Sequence, residues 1–400
     1  MTLKWLKKIS ALLALCLMLG CFSGCNGGEG SSGETAESSE TGETGETGES
    51  GEAKDEIVKV GYIFKGDCSA ESCSSDACVQ RVEASKYSNV ETYYIDNVNI
   101  SDFSTAVQKL VEAGCTYIVS ANPRFTNALT DVAGKNMNVN FISFGARIRT
   151  VNVYAYTAQM YEASYIAGMA AAFNSETEKI GIVADPDLVY NIPVINAAAL
   201  GTQLVYQNAE LITALAAKEN EIHKAVDALA AKGCDVIISY TESAETVAYC
   251  ESKGIKVIGN KDYTETADQY DNLLMYFYTD QDSFYLAQFK QMDMDTWEPD
   301  EYVGTLANSV INISPAQDCA KKDTQAIVDA LIPKVACGDA YIFSGELKNT
   351  AGNIALQMGS SLEPAEVYSM DWYVLGVNNE LGTFIEPTLD LEINDFEIQS

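Results

Sequence analysis

The sequence predicts an α/β protein built as two similar lobes, each a parallel sheet covered by helices. Three observations carry that expectation. Short apolar runs alternate with amphipathic stretches, and strand–helix–strand alternation means parallel pairing through helical crossovers. The folded part, about 340 residues, exceeds what one compact core usually holds. Two segments also echo each other: "AVQKLVEAGCTYIVS" (106–120) and "AVDALAAKGCDVIIS" (225–239) are identical at seven of fifteen positions. The echo reads either as two related lobes or as the general likeness of helix–strand units.

The elements follow in order. "MTLKWLKK" carries Lys4, Lys7 and Lys8, and the chain is then almost wholly apolar from Ile9 to Leu19. A basic start and a run too short to span a bilayer make a secretion signal over residues 1–24. "FSGC" sets Ser23 and Gly24 before Cys25, and "MLGC" sets Gly20 before Cys21. Both resemble a lipobox; Cys25 is the preferred lipid attachment, with Cys21 as the alternative. Residues 26–56 hold ten acids and one lysine and no large apolar side chain. Such a segment cannot offset its ordering entropy, so 25–56 reads as a lipidated, disordered tether spanning roughly 30 Å.

The body opens on "IVKVGYIF", a strand rich in β-branched residues. "DFSTAVQKLVEAG" places Phe103, Val107, Leu110 and Val111 at helical spacing, and "CTYIVSA" and "NVNFISFGA" are the next strands. "EKIGIVAD", "CDVIISYT" and "IKVIGN" repeat the scheme, each after a helical stretch. Ligands gather at the carboxyl ends of strands in open parallel sheets. The loops "SANPRFTNAL" and "SYTESAETV" are therefore expected to face each other across a cleft.

Charge bounds the partners. The net charge is −32; a signal of +3 and a tether of −9 leave −26 on the body. A body this acidic repels nucleic-acid polymers and disfavours multiply charged small anions. The single histidine, His223, lies on a polar stretch and reads as a surface residue. One histidine argues against the usual catalytic triads and His-based metal sites, and nothing pairs a nucleophile with a base, so no enzyme, cofactor or metal is expected.

Eleven cysteines include eight in the body: Cys68, Cys73, Cys78, Cys115, Cys234, Cys250, Cys319 and Cys337. Cys115 and Cys234 precede apolar strands and read as core fillers. Cys319 and Cys337 flank one helix, whose rise holds them roughly 20 Å apart, too far for a bridge. The cluster "CSAESCSSDAC" leaves a disulfide, a metal site or free thiols open.

Several stretches together resemble one family. They are "MYEASYIAGMAAAF", "KIGIVA" and "INAAALG" in the middle, then "WEPDEYVGTLANSVINISP" with Trp297, Pro299, Tyr302, Gly304, Val310 and Pro315, then "CGDAYIFSGELKNTAGN" and "SMDWYVLGV". As an ordered set running from Val58 to Val377, they resemble the basic membrane protein family. These are the substrate-binding lipoproteins that include the purine nucleoside receptor proteins. The resemblance implies a type I periplasmic-binding fold: two Rossmann-like lobes joined by three crossovers, closing on a nucleoside or purine base that is handed to an ABC permease. Crossovers are expected near Tyr154–Tyr156, Tyr276–Tyr278 and Thr305–Asn308. Lobe 1 then comprises 57–156, with about 279–304 and part of the C-terminal region; lobe 2 comprises 157–278, with about 305–320. Residues 379–400 form an acidic extension past the family's usual end, alternating in a way that suits an edge strand.

A nucleoside needs an aromatic face for its rings and amides or carboxylates for its rim and hydroxyls. By alignment, Phe125 and Asn127 occupy the family's Phe and Asp of the first ligand loop, with Asn122 beside them. Thr241 and Glu242 stand where relatives show Thr-Asp. Asn260 and Asp262 follow a strand, and Tyr276 and Tyr278 replace a relative's tryptophan; Tyr156 and Asn196 complete the set. The loop after the first strand departs from the family pattern. It lacks a stacking aromatic, leaving Phe64 just before it, with Asp67 or Asp76 to grip a sugar or base edge.

The expected protein is a monomeric, lipid-anchored extracytoplasmic receptor for a neutral purine nucleoside or base, serving an ABC importer. A sensor ectodomain for a membrane signalling partner and a receptor for a sugar or other small solute are the alternatives.

Overall fold

Runs such as VKVGYI and KIGIVA bury both faces of a strand, which is why they read as continuous apolar stretches rather than as alternating ones. In the computed structural model, which describes residues 57–66, 68, 81, 89–145, 150–186, 188, 190–241, 243–384 and 398–399, they lie in two separate sheets, each flanked by a strand on both sides. The signal, the tether, Cys21, Cys25, Asp67, Asp76, Cys73, Cys78 and Glu242 lie outside the described residues. Among the described residues, no helix is long and apolar enough to cross a membrane.

The first sheet holds β1 (Val58–Ile63), β2 (Val90–Ile95), β3 (Tyr117–Ser120), β4 (Asn140–Phe144) and β5 (Val153–Ala158), parallel in the order β2-β1-β3-β4-β5. The second holds β6 (Lys179–Ala184), β7 (Glu210–Leu215), β8 (Val236–Tyr240), β9 (Lys256–Asn260) and β10 (Leu273–Thr279), parallel in the matching order β7-β6-β8-β9-β10. The chain then returns: β11 (Glu301–Gly304) joins β5 in parallel, and β12 (Ile311–Ile313) joins β10 antiparallel. These are the two lobes and three crossovers of a type I binding-protein fold.

Helices cover both faces of each sheet. α1 (Phe103–Glu112) and α2 (Thr126–Ala133) seal one face of the first sheet through Phe103, Leu110, Phe125 and Leu129. α3 (Tyr161–Asn174), α4 (Asn191–Gln203) and α8 (Thr324–Ala336) pack on one face of the second sheet, and α5 (Glu219–Ala231) and α6 (Glu245–Lys253) on the other. α7 (Asp282–Asp293) returns to the first lobe, burying Phe284, Tyr285 and Phe289. α3 shows no amphipathic stripe because it is buried almost all round. Its Gly168 meets α4 so closely that a Cβ would lie 2.1 Å from the Ala198 carbonyl oxygen, and Gly201 stands 2.0 Å from the Tyr165 carbonyl oxygen by the same measure. Ser164 adds a 2.9 Å hydrogen bond to the Val194 carbonyl.

The sequence echo has a matching physical basis in each lobe. Leu110 packs where a Cβ on Gly61 would be, 2.7 Å away, and Leu229 does the same at Gly181, 3.1 Å away. Gly114 and Gly233 end the two helices at φ +89° and +91°, a region that only glycine enters freely. Lys59 donates to the Ala113 carbonyl at 3.3 Å, and Lys179 donates to the Lys232 carbonyl at 3.1 Å. Cys115 and Cys234 are buried free thiols behind the glycines. Cys250, Cys319 and Cys337 are also free, and Cys68 is disulfide-bonded.

The crossovers begin at strand ends. The first crossover follows Ala158, because Tyr154 and Tyr156 are interior to β5; the second follows Thr279; the third spans 304–311. The second lobe keeps far more of the C-terminal chain than 305–320: α8 packs in its core, β15 (Val377–Asn378) pairs with β7, and Thr383 bridges to Leu215. Between them, the short hairpin β13 (Leu347–Lys348)–β14 (Ile354–Leu356) and α9 (Pro364–Tyr368) pack on α4 around Ala197. Gln399 instead pairs antiparallel with Tyr94 on the edge of the first sheet.

Candidate functional site

The strand order reverses at β1/β3 in the first lobe and at β6/β8 in the second. A doubly wound sheet opens its crevice at such points, because the loops leaving the two strands diverge. Lys65 leaves β1, Asn122 and Arg124 leave β3, Asp185 leaves β6 and Thr241 leaves β8. Asp185 is the electrostatic centre of this group. Burial pushes its carboxyl up to about 6, the Arg124 and Lys65 cations of the other lobe pull it back, and Glu221 adds a smaller rise. A carboxylate on one lobe that feels two cations on the other marks the crevice between them. The Asp185 backbone N–H donates to the Tyr240 carbonyl at 2.9 Å, and the Asn191 amide donates to the Asp185 carbonyl, so the loop is held from two sides.

Polar atoms without protein partners collect at the same edge. The hydroxyls of Ser120 and Ser143, paired in register at the ends of β3 and β4, are buried and unpartnered, and so is the side-chain oxygen of Asn191 at the start of α4. The other lobe resolves the equivalent position differently: Ser239 pairs with Thr241 at 3.1 Å. A buried hydroxyl without a partner is costly, so the Ser120/Ser143 pair suits a site that a ligand's polar groups complete.

The sequence-predicted residues divide. Phe64 is buried and stacks on Tyr62 at 5.9 Å; Phe125 is fully buried and stacks on Phe103 at 4.7 Å. Both rings are spent on the core of the first lobe, because the residue closing β1 and the residue opening α2 point inward. Tyr156 is likewise buried, stacked between Phe144 (5.4 Å) and Tyr302 (5.9 Å). Asn196 clamps the C-terminal chain: it donates to the Trp372 carbonyl and accepts from the Val374 N–H, both at 2.9 Å. Thr241 spends its hydroxyl on Ser239, Thr246 and the Ser243 carbonyl, the most a hydroxyl can hold. Tyr276 is buried, with its phenol 3.1 Å from the Thr264 hydroxyl. All six are buried.

Five remain near the strand tips. Asn122 accepts from the Arg124 N–H at 3.0 Å and so starts the turn Pro123–Phe125; Asn127 is exposed one turn further on. Asn260 closes β9 half-buried, and exposed Asp262 accepts from the Thr264 N–H at 2.8 Å. Half-buried Tyr278 has its phenol raised by burial and by the charge of Asp262. Sequence reasoning missed Lys65, Arg124, Asp185, Ser120, Ser143 and Asn191. The available signal was a polar residue at or one position before the end of an apolar run, as in "GIVAD", "YIVS" and "FISF".

A second opening lies away from the strand tips. A cavity of about 250 Å³ sits behind the first crossover, lined by Tyr161, Glu162, Tyr341, Phe343 and Leu362 among others. It belongs to the hinge side of the second lobe rather than to the crevice.

Comparison with known proteins agrees with this architecture. The family of ABC transporter substrate-binding proteins described as PnrA-like matches residues 57–270. A purine-binding protein of Brucella abortus is 24% identical over 335 residues, 82% of this chain and 95% of the relative. A Haloferax volcanii protein named for ABC-transporter glucose binding is 25% identical over 288 residues, covering 70% of this chain and 71% of the relative. Among solved structures, an ABC transporter solute-binding protein of Aeropyrum pernix superposes with a TM-score of 0.63 at 14% identity, covering 78% of this chain and 95% of that one. The matched segment runs from β1 through β9, more than half the chain, and the chain therefore belongs to the PnrA-like ABC transporter substrate-binding family.

Proposed function

We propose that this receptor captures a neutral purine nucleoside or nucleobase between its lobes and delivers it, as a monomer, to an ABC permease. The observation that carries the reading is Asp185: a half-buried carboxyl at a topological switch point, facing cations of the opposite lobe. A purine rim offers amino and ring N–H donors to such a carboxylate, and Ser120, Ser143 and Asn191 supply further buried polar atoms. Asn122, Asn127, Asn260, Asp262 and Tyr278 stand at the rim as additional contacts, with Asp67 and Glu242 completing the ligand set. The similarity to a purine-binding relative over most of the chain supports the same ligand class. A lipid on Cys25, or on Cys21, holds the receptor at the outer face of the membrane.

One observation favours a second reading. Phe64 and Phe125 pack in the core, so the aromatic face that a base requires falls to Tyr278 or to a residue outside the described ones. A hydroxyl-rich guest such as a hexose needs fewer flat contacts. A thermal-shift screen separates the two: a ligand at 100 times its dissociation constant adds about 2.7 kcal/mol. Adenosine, guanosine, inosine, adenine or hypoxanthine should raise the melting temperature; silence from all five with a rise for glucose or ribose replaces the purine reading. Intact-mass analysis of the membrane-extracted protein should find an acylated cysteine at the mature N-terminus.

A further inference from the structure

The sequence contains a single histidine, which by itself argues against a His-based metal site. The fold supplies what a second histidine would. Glu219 and His223 are one helical turn apart on α5, and i,i+4 spacing puts them on one face. Glu245 opens the neighbouring helix α6 and reaches the same spot. The candidate ligand atoms of the three side chains all lie within 4.8 Å of one another, the sole such group among the described residues. His223 Nε2 and the Glu245 carboxylate stand 2.5 Å apart.

The imidazole is also oriented. Its ring stacks on Tyr249 with centroids 3.8 Å apart and planes 13° from parallel. Tyr249 is fixed in turn: its phenol donates to Asp227 at 3.0 Å, and Lys253 pairs with Asp227 at 2.9 Å while lying 4.8 Å above the Tyr249 ring. An imidazole held this way keeps its coordinating nitrogen aimed at the two carboxylates, as outer contacts do at metal sites.

We propose that Glu219, His223 and Glu245 form a binding site for a divalent ion of the zinc class on the crevice-side rim of the second lobe. One imidazole nitrogen and two carboxylates suit zinc, nickel or cobalt, with bonds of about 2.0–2.2 Å, whereas magnesium and calcium prefer oxygen alone. Two ligands at such bond lengths in a tetrahedron stand about 3.3 Å apart, so seating an ion opens the His223–Glu245 contact by under ~1 Å. The two carboxylates offer negative charge that a divalent cation cancels, and the acidic body draws cations toward it. Glu219 is exposed and the other two are half-buried, which gives the ion a path and leaves a coordination position to solvent. All three ligands belong to one lobe, at the starts of the helices that follow β7 and β8. The ion therefore binds whether or not the lobes are closed.

The test titrates zinc ion into the full-length protein by calorimetry, beside His223→Gln and Glu219→Gln. Both substitutions are at the surface and keep side-chain length or hydrogen-bonding capacity, and both leave every cysteine in place. The wild type should show one event near 1:1 stoichiometry, weakened by at least about tenfold in each variant, and unaffected by equal magnesium. Cobalt ion should give a visible absorption band that His223→Gln removes. Zinc isotherms that coincide between the wild type and His223→Gln overturn the site, as does a wild type that binds none; a simple His–Glu ion pair would also be indifferent to Glu219.

Discussion

The Glu162 carboxylate accepts the backbone N–H of Leu306 at 2.8 Å, and with it the first crossover is tied to the third. Glu162 is 9% exposed, and burial pushes its carboxyl up to about 7 from 4.5, with the Leu306 hydrogen bond opposing. The folded chain thus holds this proton more tightly than the unfolded one. The resulting stabilisation is complete below about 4.5 and is lost as pH rises through about 7. A shift of that size corresponds to about 3 kcal/mol. Glu162→Gln should flatten the fall of melting temperature across that interval; a fall as steep as the wild type's would show that Glu162 does not drive it.

Asp185 carries the same sign: its contribution is present below 3.8 and lost as pH rises through about 6. Asp185→Asn should therefore raise the melting temperature of the ligand-free protein at neutral pH. It should also weaken the ligand found by the thermal-shift screen about 10- to 100-fold, the loss of a charged hydrogen bond. Calorimetric titration of both proteins checks the pair of effects, and an unchanged affinity would remove Asp185 from the site.

Phe125 lies against Phe103 in the core. Phe125→Ala should cost about 3–5 kcal/mol in denaturant unfolding. The protein that remains folded should keep the wild-type dissociation constant; a selective loss of affinity would return Phe125 to the crevice.

The thiols should react in a fixed order. Cys337 is exposed. Burial pushes Cys115 up to about 11 and Cys234 and Cys250 up to about 12. Alkylation of the native protein followed by peptide mapping should label Cys337 within the time that leaves those three unmodified, and denaturant should equalise them.

Gly168 has no space for a methyl group, since the obstacle is the Ala198 backbone and not a side-chain tip. Gly168→Ala should cost about 1–3 kcal/mol as an overpacked core does, against little effect for Gly66→Ala, where no atom lies within 4 Å of the added carbon.

Much of the frame was legible because local rules and burial agreed. The repeated Leu-x3-Gly-Cys of 110–115 and 229–234 encodes a helix, its glycine stop and a strand, and the matching Gly61 and Gly181 accept the leucine. The site was less legible, for a physical reason. Phe125, Tyr156 and Asn196 sit at the right places along the chain, but sequence position does not say which way a side chain turns at a strand end. Phe125 turns under α2, Tyr156 joins an aromatic stack, and Asn196 holds the backbone at Trp372 and Val374. Asp185 escaped notice because its role comes from Arg124 and Lys65, which lie more than sixty residues away in another lobe. The C-terminal boundaries slipped because residues 321–384 attach to the second lobe through scattered contacts rather than through a periodic pattern.

At the crossing of α3 and α4, each glycine rests on the other helix's main chain, so neither partner has a side chain that could be traded for one of another size. Descendants of this sequence that come to prefer a different guest must alter the loops at the strand tips. The chassis beneath them is closed to revision.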